Sequence, residues 1–206
     1  LIVEIGQWVL RQTCILISQH LDWFAEGKLR YISINISPRQ FSQPHFVAQV
    51  LEIIEEFTFP HSYLRLEITE GVAMENINSA IYIMNALIVH ELFFMLDDFG
   101  SGYSSLSYLK RLPVDTLKVD REFVSGADGS RENLSILRGI VGLSGVFGKQ
   151  IIAEGVETIR QGQILLSLGC EQAQGYAMSP PVEPDRLLEW ITNWKTFPEW
   201  QEYDGS

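Results

Sequence analysis

Polar or charged side chains follow short apolar runs at six places along this sequence of 206 residues. In chain order they are Asn35, Glu67, Asp97 with Asp98, Lys118 with Asp120, Glu154, and Gln174. A single polar residue after an apolar run is usual in a turn, whereas a succession of them indicates a common role. If the runs are strands of a parallel barrel, their carboxyl ends meet on one face, where active sites of such barrels are built.

The stretch Phe93–Leu106 is the most distinctive, because an apolar run ends in Asp97 and Asp98 and a Gly-rich turn follows. Adjacent strand residues point to opposite faces, so both carboxylates can share a face only where the strand ends. Neighbouring carboxylates also repel each other unless a cation lies near them. For this pair alone, a strand end followed by an Asp–Gly turn is the simpler interpretation. The repetition of the pattern along the chain favours a cation site.

The residue types predict which cation and which reaction the site would serve. Oxygen ligands from Asn, Glu and Asp suit Mg²⁺ or Mn²⁺, and the lack of paired Cys and His residues argues against zinc. Adjacent carboxylates such as Asp97 and Asp98 would let one bridge two ions while the other serves the second ion. Two such ions suit in-line attack on a phosphodiester. Lys118 suits a phosphoryl oxygen or the attacking water, and the alternative is a salt bridge with Asp120.

Helices and strands are predicted to alternate along the chain. The predicted strands are Leu29–Ser37, Tyr63–Thr69, the run from Phe93, Thr116–Val119, Gln150–Ala153 and Glu171–Gln174. The predicted helices are Ile5–Phe24, Pro44–Phe57, Asn76–Glu91, Tyr103–Arg111, Arg131–Phe147, Thr158–Leu168 and Pro184–Trp194. Thr158–Gln161 resembles a capping box. This order predicts a parallel α/β protein, either a (β/α) barrel or an open doubly wound sheet, with fewer strands than a closed barrel.

Composition limits the class of protein. The length suits one domain, which we place at residues 1–195, with residues 196–206 as a C-terminal tail or linker. A net charge of −11 argues against a partner that is duplex nucleic acid, but it allows an anionic ligand held through divalent cations. Cys14 and Cys170 show no disulfide or zinc pattern. No uncharged apolar run reaches membrane-spanning length, so we expect a cytoplasmic domain. Because no Met begins the sequence, we expect a piece of a longer chain, the remainder of which could carry a membrane anchor.

Six segments of this sequence resemble the EAL domain family, in order and at family-like spacing. They are Ser33–Ser37, Leu66–Glu70, Asp97–Leu106, Leu117–Asp120, Ala153–Thr158 and Gln174–Tyr176, and the resemblance runs from Leu1 to about Trp190. The third and fifth segments are the most specific. The resemblance implies a TIM-like (β/α) barrel that hydrolyses the bacterial second messenger cyclic di-GMP to linear pGpG. It also implies two Mg²⁺ or Mn²⁺ ions as cofactors.

The resemblance implies a role for each matched residue. The implied metal ligands are Asn35, Glu67, Asp97, Asp98 and Glu154, with Asp97 bridging the two ions and Asp98 on the second. Lys118 is implied to lie near the attacking water, Glu154 to hold the second ion or act as the base, and Gln174 to orient the water.

Three further acidic residues have supporting roles in this interpretation. Glu70 is implied to anchor the loop Phe99–Leu106, which the family links to dimerisation and metal order. Asp120 is a further residue of the site face. Glu157 either holds the turn after Glu154 or is an acid favoured by the dipole of the helix that follows.

One family feature does not occur in this sequence. The Glu-Ala-Leu tripeptide that names the family is absent, and Leu1–Leu10 resembles the helix that follows its strand. We therefore expect a barrel that is incomplete at the N-terminus. Two functions stay open: a phosphodiesterase, or a cyclic di-GMP receptor or dimerisation module without turnover; an unrelated α/β metalloenzyme is a remote third. The resemblance also implies a homodimer, and fusion to sensory or GGDEF domains in the full-length protein.

Overall fold

The structure is a computed structural model that describes residues 1–100 and 106–201. Contacts between residues divide the chain into two compact units. Of the described residues, the first unit holds 1–97 and 106–115, and the second holds 98–100 and 116–201. The boundary lies between Asp97 and Asp98, the two carboxylates singled out in the sequence.

The first unit contains three parallel strands, with helices before, between and after them. Its elements are α1 (Ile2–Gln19), α2 (Leu21–Ala25), β1 (Ile32–Asn35), α3 (Pro38–Phe41), α4 (Phe46–Ile54), β2 (Leu64–Thr69), α5 (Glu70–Glu75), α6 (Ile77–Ile88), β3 (Phe93–Phe99) and α7 (Leu106–Arg111), with a 3₁₀ turn at His61–Tyr63. The last two residues of β3 belong to the second unit. In β2 and β3 most side chains are buried, as is typical of the strands of a parallel sheet.

The second unit also contains three parallel strands. Its elements are β4 (Thr116–Val119), α8 (Arg121–Ser125), α9 (Arg131–Val146), β5 (Gln150–Ala153), α10 (Ile159–Ser167), β6 (Gln172–Ala173), α11 (Pro184–Asn193) and α12 (Pro198–Gln201). All four residues of β4 are buried. The register pairs Lys118 with Ile152 and Ala153 with Ala173, which fixes how the strand ends line up.

The sequence predicted the strands better than the helices. The described residues contain six strands, as expected, and β4 and β5 have the predicted bounds. The first predicted helix is divided at His20, and the short helices α3, α5, α8 and α12 were not predicted. Each of these has at most six residues, which is too short to show helical periodicity. Of the predicted helix Tyr103–Arg111, the first three residues lie outside the described residues.

Cys14 and Cys170 are free, buried thiols. Burial raises the pKa of Cys14 to about 12 and that of Cys170 to about 11. In residues 1–100 and 106–201, no helix has both the length and the apolar character needed to cross a bilayer.

Candidate functional site

Three of the predicted oxygen donors share one face of the strands in the first unit. The register pairs Asn35 with Glu67 and Thr69 with Asp97. Residues two apart on a strand share a face, and paired residues of parallel strands do so as well, so Asn35, Glu67 and Asp97 lie on the same face. Glu67 is 5% exposed and Asp97 9% exposed, whereas Asn35 is exposed. The predicted grouping of these donors therefore holds within this unit.

Glu70 lies immediately after β2, as the first residue of α5. Its side chain is buried, which is unusual for a carboxylate and requires charged or polar partners. A carboxylate in the first turn of a helix is also favoured by the helix dipole. The loop it is predicted to anchor, Phe99–Leu106, includes residues 101–105, which lie outside the described residues.

Lys118 and Glu154 form a largely buried ion pair in the second unit. The Nζ atom of Lys118 lies 2.7 Å from Oε1 of Glu154, and the two side chains are 5% and 18% exposed. Lys118 is paired in register with Ile152, two residues before Glu154, so both side chains project from the same face. The amide of Glu154 donates to the carbonyl of Val119 at 3.1 Å, which continues the strand pairing up to Glu154.

Asp98 lies near the end of β3, where the side chains stop alternating between the two faces of the strand. Its φ of 55° is in the left-handed region, which Asp tolerates better than most residues other than Gly. Asp97 is buried on the strand, and Asp98 is exposed. A carboxylate oxygen of Asp98 lies within 4.8 Å of one of Glu154. The strand-end interpretation and the cation interpretation are therefore compatible, because the turn at Asp98 is what brings its carboxylate to Glu154.

Gln174 is held beside Glu154 by the backbone. The Gln174 amide donates to the Ala153 carbonyl at 2.8 Å, and the Val156 amide donates to the Gln174 carbonyl at 3.1 Å. The next residue, Gly175, comes so close to Val156 that a Cβ would overlap the backbone of Val156. The segments that carry Glu154 and Gln174 are thus joined by backbone hydrogen bonds. Because the register pairs Ala153 with Ala173, the exposed Gln174 lies opposite Glu154.

The remaining two predicted site residues, Asp120 and Glu157, lie at helix beginnings. The Asp120 carboxylate accepts a hydrogen bond from the Glu122 amide at 2.8 Å and so caps α8. Glu157 is exposed, and its amide donates to Oε1 of Gln161 at 2.8 Å. The predicted capping box of Thr158 and Gln161 is confirmed. Gln161 therefore stabilises the turn after Glu154 by a hydrogen bond, a role that the sequence did not predict.

The model of the EAL domain family matches residues 1–181. The chain belongs to the EAL domain family. Among its relatives, a bifunctional diguanylate cyclase/cyclic di-GMP phosphodiesterase, MucR of Pseudomonas aeruginosa, is 37% identical over 189 residues, which are 91% of this chain and 27% of MucR. The chain spans about a quarter of the length of the curated relatives it matches.

Solved EAL structures resemble the chain closely. The MucR phosphodiesterase in complex with c-di-GMP has a TM-score of 0.86 at 36% identity, covering 90% of this chain and 74% of that one. The EAL domain of Mycobacterium smegmatis DcpA has a TM-score of 0.85 at 39% identity, covering 95% of this chain and 87% of that one. The predicted fold class, a TIM-like barrel of the EAL type, is confirmed.

Proposed function

We propose that this chain is a metal-dependent phosphodiesterase domain that hydrolyses cyclic di-GMP to linear pGpG in bacterial signalling. The observation that carries the proposal is the Lys118–Glu154 ion pair, with the Asp98 carboxylate within 4.8 Å of Glu154. An ammonium group and two carboxylates at strand ends suit the hydrolysis of a phosphodiester. The activity named for MucR supports the choice of substrate.

The residues present fit divalent metal ions. Asp98 and Glu154 offer carboxylate oxygens close enough to share a cation, and the first unit offers Asn35, Glu67 and Asp97 on one face. We propose that these residues would hold two Mg²⁺ or Mn²⁺ ions. Such ions, when bound, stabilise the attacking and leaving oxygens of an in-line displacement.

The side chains of the second unit would handle the proton and the water. Water adds to phosphorus and the bond from phosphorus to the 3′ oxygen breaks, which leaves the phosphate on the 5′ oxygen of pGpG. The departing 3′ oxygen takes up a proton from solvent and becomes a hydroxyl group. Glu154, oriented by Lys118 at 2.7 Å, accepts the proton of the attacking water. The ammonium group of Lys118 stabilises negative charge on the phosphoryl oxygens, and Gln174 orients the water through its amide group.

The same proposal assigns supporting roles to three further acidic residues. Glu70 anchors the loop after Asp98, Asp120 fixes the start of α8 on the site face, and Glu157 supports the turn after Glu154. We further propose that the domain forms a homodimer and works in the cytoplasm, fused to sensory or GGDEF domains.

The second function is the alternative that the sequence leaves open, binding of cyclic di-GMP without turnover. A chain that binds cyclic di-GMP without turning it over would act as a receptor or a dimerisation module. Binding would then need Lys118 and the strand-end polar groups, but not a base at Glu154.

Anion-exchange chromatography of cyclic di-GMP incubated with the chain and Mn²⁺ separates the two functions. The phosphodiesterase produces pGpG, and EDTA or Glu154→Ala abolishes the product. Glu171→Ala, which removes an exposed acid on the same unit, is the matched control and should leave the product unchanged. Binding in calorimetry without any pGpG would replace the enzyme by the receptor.

A further inference from the structure

The C-terminal segment, Phe197–Gln201, packs against α10 within the second unit. The indole N–H of Trp200 donates to the carbonyl of Ile159 at 2.9 Å. Phe197 lies edge-on to Trp200, with 4.7 Å between the ring centroids. Ile159 is the first residue of α10, so the segment contacts that helix at its N-terminus.

Gly162 provides a second, independent indication that the contact between Trp200 and α10 is specific. Glycine in a helix interior costs stability relative to alanine, unless the absent side chain makes room for a neighbour. A Cβ at position 162 would overlap the indole ring of Trp200. The glycine therefore provides the space into which the indole packs.

The first turn of α10 connects this contact to Glu154. Gln161, which precedes Gly162, has a buried side chain whose Oε1 accepts the amides of Glu157 at 2.8 Å and Thr158 at 3.1 Å. These two amides end the turn that begins at Glu154. Displacement of α10 would move Gln161 and release the turn.

We propose that Trp200 is a positioning residue: by packing on Gly162 and bonding to Ile159, it holds the first turn of α10 and thereby the turn that carries Glu154. Its effect on turnover rests on the proposed function of Glu154. Its effect on the turn does not, because the hydrogen bonds to Gln161 exist whatever reaction the site performs.

Hydrogen exchange at the amides of Glu157 and Thr158 tests the proposal without reference to activity. Trp200→Ala should speed exchange at both amides at least tenfold by local opening, and Trp200→Phe should restore most of the protection because a ring still covers Gly162. Trp194→Ala removes an exposed tryptophan of the same unit and should leave both amides unchanged. Equal exchange in Trp200→Ala and the parent chain would overturn the proposal.

A double-variant comparison tests the Gly162 contact directly. Gly162→Ala should lower the melting temperature of the parent chain, because its methyl group meets the indole, yet raise that of Trp200→Ala, where the space is free. The same sign in both backgrounds would contradict the contact.

The kinetic consequence follows if the chain hydrolyses cyclic di-GMP. Trp200→Ala should then lower kcat with little change in KM, and Trp200→Phe should restore kcat. A parent chain without turnover would refute the proposed function and leave the exchange experiment to decide the role of Trp200. Normal kcat together with faster exchange would show that the turn does not control Glu154, and would overturn the positioning role.

Discussion

The Nζ atom of Lys118 lies 2.7 Å from Oε1 of Glu154, and both side chains are largely withdrawn from water. The two residues are 36 positions apart in the printed sequence and meet because β4 and β5 pair in parallel register. A buried ion pair costs desolvation energy, so removal of one partner leaves a charge that is poorly solvated.

Lys118→Met should therefore lower the free energy of unfolding by about 2 kcal/mol, since it keeps most of the stem and leaves the Glu154 carboxylate without this cation. Urea unfolding measures the change. The exposed pair of Arg11 and Glu56 provides the comparison, because Glu56→Gln should cost less than about 1 kcal/mol in water. Equal losses in the two variants would contradict the buried character of the Lys118–Glu154 pair.

Asp98 combines a left-handed backbone with a carboxylate near Glu154, and substitutions can separate the two properties. Asp98→Asn should fold like the parent, because Asn also tolerates this conformation. Asp98→Val should lose about 1–2 kcal/mol, because a side chain branched at Cβ fits the left-handed region poorly and cannot form the local hydrogen bonds of Asp or Asn. Mn²⁺ should raise the melting temperature of the parent more than that of Asp98→Asn. An equal rise would remove Asp98 from the proposed metal ligands.

The strand ends could be predicted from the sequence because each apolar run stops at a polar residue of the right type. The partner of Lys118 could not, because Asp120 lies only two residues away in the sequence and the local sequence does not determine the register between β4 and β5. The structure gives Lys118 an ion pair with Glu154, and it makes Asp120 the N-cap of α8. That helix has five residues and shows no periodic pattern.

Local signals account for some of the missed elements and not for others. Ser37, Pro38 and Gln40 form the capping box and N-terminal proline of α3, and these residue types could have predicted that helix. The contact of Trp200 with Gly162 has no such signal. It joins residues far apart in the chain, and the C-terminal stretch 196–206, with one proline and three aromatic residues, is equally typical of a linker.

Gly175 should not tolerate a side chain, because the atoms that a Cβ would meet are the backbone of Val156. Gly175→Ala should cost at least about 2 kcal/mol of stability, since backbone cannot yield as a flexible side chain can. Gly142→Ala is the matched control: that glycine lies exposed on α9 with no neighbour near its Cβ position, so alanine should stabilise by about 0.5–1 kcal/mol. Thermal unfolding of the two variants checks both signs, and a neutral Gly175→Ala would contradict the close approach.

The two buried thiols should resist alkylation in the folded chain and differ from each other. Burial raises the pKa of Cys14 to about 12 and that of Cys170 to about 11, both from 9.0, so at pH 8 the thiolate is scarcer by about a thousandfold and a hundredfold. Iodoacetamide followed by mass spectrometry should label Cys170 before Cys14, and both rapidly in urea. The stability linked to these thiols is present below pH 9 and is lost as pH rises through 11 and 12, because only the unfolded chain ionises freely. Rapid labelling of Cys14 at pH 8 in the folded chain would contradict its burial.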